Sequence, residues 1–199
     1  MNVYAALDRR LRSEDLTQAL SLIILALSLA LVFSWTGNPL AVNDSWFNVS
    51  AVRRVTLGLL ALYLALRASP GSRVEQFAGW LALLCVQVVT VPFELVTFAA
   101  SYPAASLPLS VAFDLLFPLG LYGIALAGTR LVPRAPWLTL PVSAVVLLLF
   151  AAVDELFAVT LLSPLAIITA DDWPRVVSWS LLAVAGLVVM LITRKSEGS

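Results

Sequence analysis

Residues 46–67, WFNVSAVRRVTLGLLALYLALR, decide how many times this chain crosses a membrane. Between Arg54 and Arg67 stand only twelve residues, Val55 to Leu66. They make about 18 Å of helix, too short for a hydrocarbon core of about 30 Å. A helix begun at Trp46 reaches 21 residues before Arg67 and does span. It then carries Arg53 and Arg54 inside the bilayer. Outward from this stretch, apolar runs near 16–35, 77–99, 107–129, 137–162 and 173–193 supply five more spans.

Basic residues choose between five spans and six, because short loops bearing Lys and Arg stay on the cytoplasmic side. Six spans put nine of them inside: Arg9, Arg10, Arg12, Arg67, Arg73, Arg130, Arg134, Arg194 and Lys195. Arg53, Arg54 and Arg175 then fall towards the outside. Without the second helix everything downstream inverts and the bias reverses. Trp35, Trp46 and Trp173 fall at the outer interface and Trp80 and Trp137 at the inner one, where amphipathic rings collect. Trp179 alone lies inside a span.

The predicted fold is therefore an all-α membrane protein of six transmembrane helices with both termini cytoplasmic. Residues 1–15 place Tyr4, Leu7 and Leu11 on one face and read as a short helix lying in the inner interface. Residues 16–193 form a single transmembrane domain, and 194–199 a cytoplasmic tail. Helical spans favour a cytoplasmic-type membrane, since closed barrels populate outer membranes. The loops are too short to house a soluble domain, so any chemistry happens in the bilayer or comes from another chain.

Composition agrees. Of 199 residues, 61% are hydrophobic and 12% charged, with mean hydropathy +0.97, whereas a soluble domain is about a quarter charged. Twelve basic and twelve acidic residues cancel, and no basic patch supports nucleic-acid binding. Histidine is absent and Cys85 is the only cysteine. That removes imidazole metal sites, Ser-His and Cys-His nucleophile pairs and intrachain disulfides. No cofactor, metal site or catalytic residue is expected.

Four carboxylates lie within spans, Glu94, Asp114, Asp154 and Glu155, where each ionised group costs about 3 kcal/mol at the bilayer centre. Counting residues from the span ends puts all four about 7 to 10 Å below the outer interface. Arg53 and Arg54 fall on the same level. If all six are ionised the sum is minus two, which calls for protons, a cation or a cationic ligand. Gln87, Thr90, Glu94 and Thr97 recur at intervals of three and four and line one face of their helix. Ser110, Asp114, Pro118 and Tyr122 do so on the next. Pro92 and Pro118 each free a backbone carbonyl within a span, and kinks are expected there.

These residues predict a transporter or permease subunit. Its pathway runs through Glu94, Asp114, Asp154, Glu155, Gln87, Thr90 and Thr97, with Arg53 or Arg54 as counter-ion. The alternative is a non-catalytic accessory or scaffold subunit whose charges bind helices together. An intramembrane enzyme using Asp154 or Glu155 as general acid is the least favoured reading. The partners are the lipid bilayer and either further copies of the chain or a partner subunit. An interfacial helix, six spans and minimal loops are similar in layout to the transmembrane half of ATP-driven exporters. That resemblance implies an ATPase subunit, although the loops that would dock it, Arg67 to Glu75 and Arg130 to Pro136, are short.

Overall fold

The computed structural model describes residues 20–26, 42–68, 72–101, 107–131, 139–157, 159 and 171–192. Within them the side chains of 42–51, 93, 94, 96–101, 107, 140, 151 and 155 lie outside the description. The expected interfacial helix over 1–15 and the tail 194–199 fall outside the described residues.

The described residues form helices and no strand: α1 (20–26), α2 (Val42–Arg67), α3 (Arg73–Ser101), α4 (Leu107–Leu131), α5 (Thr139–Phe157) and α6 (Trp173–Ile192). Such apolar segments can satisfy every backbone donor and acceptor only within themselves once water is excluded. Among the described residues three stretches are long and apolar enough to cross a membrane: Arg73–Pro92, Pro108–Leu131 and Trp173–Ile192. The chain is thus built to be embedded in a membrane. Leu148, Leu181 and Leu191 are exposed on the outer faces of α5 and α6, positions that hydrocarbon suits and water does not.

Helix ends follow local chemistry. Ser72 Oγ accepts from the Glu75 backbone N–H at 3.3 Å, and Ser72 to Glu75 reads as a capping box. This cap starts α3 at Arg73, ahead of the apolar run at 77. The α6 start is closed by Asp172, whose carbonyl accepts from the Arg175 N–H at 3.1 Å. α5 stops at Phe157, and residue 159 is already non-helical. α3 and α4 run on as helix through Pro92 and Pro118. The triplet Asn48-Val49-Ser50, which could have marked a glycosylated loop, lies inside α2.

α4 is the hub. It packs most extensively against α6, then against α2, α3 and α5. Its partnership with α6 rests on glycine: a Cβ on Gly123 would stand 2.5 Å from the Gly186 Cα, so the two backbones touch. Gly120 lies beneath the Trp179 ring, where a Cβ would meet Cε3 at 2.8 Å. Small residues of this kind let membrane helices pack backbone to backbone. Here Gly120 and Gly123 are consumed within the fold rather than left for a second copy.

Contact pairs also fix direction. Arg54 meets Asp114 and Gly58 meets Leu121, so α2 and α4 run parallel. Gly120 with Trp179 and Arg130 with Val189 make α4 and α6 parallel. Gly79 against Tyr122 and Gln76 against Arg130 make α3 antiparallel to α4. Trp179 is fully buried and meets Phe113, Phe117 and Phe150 edge-on, with centroids 6.3, 4.8 and 6.2 Å away. This cluster knots α4, α5 and α6 in the middle of the bundle.

Candidate functional site

Beside the aromatic knot, towards the α4 N-terminus, five helices contribute buried polar side chains. Arg54 Nε donates to Asp114 Oδ1 at 2.6 Å, with side chains 6% and 2% exposed, joining α2 to α4. The Arg54 guanidinium also lies over the Phe113 ring, 5.2 Å from its centroid. Arg53 Nη2 donates to Thr90 Oγ1 at 2.6 Å, joining α2 to α3, and the Thr90 hydroxyl donates to the Gln87 carbonyl at 2.9 Å. On α6, Arg175 is buried and stands 3.7 Å from the Asp172 carboxylate. Asp154 of α5 is buried within electrostatic reach of Arg175, as is Arg54.

The cluster therefore contains Arg175 and Asp172 beside the expected Arg53, Arg54, Asp114 and Asp154. The sequence pattern sets Arg175 towards the outside together with Arg53 and Arg54 but gives no sign that it joins their cluster. Three buried arginines, Arg53, Arg54 and Arg175, face three buried aspartates, Asp114, Asp154 and Asp172. The described cluster is charge-balanced. Glu94 and Thr97 on α3 and Glu155 on α5 belong to helical segments, but their side chains lie outside the described residues.

Bonding capacity is left over. Asp114 Oδ2, the Ser110 hydroxyl and both polar atoms of the Gln87 amide are buried with no hydrogen-bond partner among the described residues. Ser110 and Asp114 lie one turn apart on α4, and Gln87 one turn from Thr90 on α3. Other hydroxyls in the bundle turn back on their own helix. Thr56 donates to the Val52 carbonyl, Ser178 to Pro174 and Ser180 to Val176. That habit satisfies a hydroxyl in an apolar helix, and Ser110 does not follow it. Thr139 and Ser143, at the far end of α5, are buried and unpartnered as well.

A second polar layer closes the opposite end. Arg130 donates to the Val189 carbonyl at 2.6 Å and to Gln76 Oε1 at 2.9 Å, and the Tyr122 hydroxyl donates to the Gln76 carbonyl at 2.6 Å. These bonds tie α3, α4 and α6. Sixteen residues of α4 separate Asp114 from Arg130, about 24 Å of helix against a hydrocarbon core of about 30 Å. The two polar layers thus lie near opposite ends of α4. Sequence reading used Arg130 only as a topology marker and did not connect it to Gln76.

No family model, curated protein or solved structure matches this chain. Among the described residues no group of three or more His, Cys, Asp or Glu side chains is placed to hold a metal ion.

Proposed function

We propose that this chain is a six-span protein of a cytoplasmic-type membrane, with both termini cytoplasmic, that serves as a transporter or permease subunit. The alternating directions of α2, α3, α4 and α6 support the six-span arrangement, as does the excess of basic residues on one side. The polar level between α2, α3, α4, α5 and α6 is the proposed pathway.

The observation that carries this reading is the surplus of polar atoms at Asp114, Ser110 and Gln87. A charge cluster that served only to fix helices would be expected to satisfy its own donors and acceptors. These three point to a further ligand. The described charges balance, so a preference for a proton or cation rests on Glu94 and Glu155. Reconstitution into vesicles loaded with a pH-sensitive dye tests the reading. Wild type should pass protons or a monovalent cation under an applied gradient, and Asp114→Asn and Gln87→Leu should lose flux while keeping helical content. Flux unchanged in both folded variants refutes the pathway.

The sealed Arg54–Asp114 pair favours a second reading, an accessory subunit whose charges tie helices together. On that reading a stoichiometric partner co-purifies from native membrane. The vesicles of pure chain then carry nothing.

A further inference from the structure

At the end opposite the charged level, the last turn of α2 and the first turns of α3 border a cleft. Small residues line much of it: Ala68, just past α2, and Ala78, Gly79 and Ala82 on α3. α3 leans on α4, where Tyr122 presses on Gly79 and is held by the Gln76 carbonyl. The cleft is half open and holds about 560 Å³, within the range of small-ligand sites of about 300–1,000 Å³. Its floor is apolar, formed by the buried Leu64 and Ala68, with Ala78 and Ala82 on the flank. Arg67, in the last turn of α2, and Glu75, in the first turn of α3, line it as well.

We propose that this cleft binds a phospholipid with a phosphate and a free ammonium in its headgroup, of the phosphatidylethanolamine type. The inference rests on the chain spanning the membrane but not on transport. α2 ends at Arg67 and the apolar stretch of α3 begins at Arg73, so the mouth lies at the boundary between hydrocarbon and water. An apolar slot with one cation and one anion at that boundary matches an amphiphile: acyl chain inside, phosphate on Arg67, ammonium on Glu75. Both side chains already have partners within the protein. Five guanidinium donors and four carboxylate lone-pair sites leave each able to take another. A choline headgroup has no N–H to give Glu75, and a glycerol headgroup has no cation.

The test is native mass spectrometry of the full chain, delipidated in detergent and titrated with dioleoyl phosphatidylethanolamine, phosphatidylglycerol or phosphatidylcholine. Wild type should retain the ethanolamine lipid at least fivefold better than either other. Arg67→Gln should abolish retention of all three, and Glu75→Gln should erase the ethanolamine preference. Ala78→Phe keeps both charges and fills the slot, so it should also release the lipid, with helical content as the folding control. Equal retention of the three lipids by wild type, or retention undiminished in a folded Ala78→Phe variant, overturns the proposal. A chain that leaves cells without detergent overturns the membrane reading itself, a distinct result.

Discussion

Removing the charge of Asp114 alone should destabilise the protein, whereas removing it together with that of Arg54 should leave stability almost unchanged. In Asp114→Asn the buried Arg54 guanidinium, 6% exposed, loses its anion 2.6 Å away. Breaking a buried ion pair by removing one partner costs about 3–5 kcal/mol, and the further contact Arg54 keeps within the protein puts this variant at the lower end. The Phe113 ring lies beneath the guanidinium in wild type and variant alike, so its cation–π contact cancels from the difference. The expected loss is therefore about 3 kcal/mol. Arg54→Met leaves Asp114 with both oxygens unanswered and should cost a similar amount. The double variant Arg54→Met/Asp114→Leu has neither charge to desolvate and should fall within about 1 kcal/mol of wild type, because apolar residues of similar volume replace buried pairs well. The assay is reversible denaturant unfolding in lipid–detergent micelles, followed by far-UV circular dichroism. A double variant as unstable as the sum of its singles would refute the reasoning, since it would mean that the two side chains do not answer each other. The same variant separates the functional readings: a pathway loses its flux, whereas a scaffold keeps its partner.

Three further outcomes are expected. Gly123→Val places side-chain carbon where the Gly186 backbone lies and should cost about 3 kcal/mol, read as a fall in Tm in detergent. Trp179→Ala removes the ring shared by Phe113, Phe117 and Phe150 and should cost about 3–5 kcal/mol; a loss under 1 kcal/mol would mean that α4, α5 and α6 are not knotted there. Cys85 is exposed near the middle of α3, so in sealed vesicles a lipid-soluble maleimide should label it and a charged one should not.

What could be read from sequence was whatever depends on distance along one helix. Counting residues from span ends placed Arg54 and Asp114 at one depth, and four-residue spacing put Ser110, Asp114 and Tyr122 on one face. The buried Gln87 and Thr90 likewise share the face that their spacing assigns. What depends on the pairing of helices stayed hidden. Nothing in the order of residues says that Gly123 is opposite Gly186, or that Arg130 reaches across to Gln76. The nearness of Arg175 to Asp154 stayed hidden for a related reason. It is set by α6 lying parallel to α4, with Trp179 beside Phe117, and hydropathy carries no record of that neighbour.

The parallel contact between α4 and α6 sets a timetable for assembly. In a chain threaded into the bilayer one helix after another, Arg54 finds Asp114 as soon as α4 arrives. Gly120 and Gly123 then wait, with a notch on their surface, while α5 is made. Only the final helix brings Trp179 and Gly186 to fill that notch, and Arg175 to the neighbourhood of Asp154. A ribosome that stops before α6 releases a product bearing an open groove and an acid without that nearby arginine, features by which quality control could tell it from the finished protein.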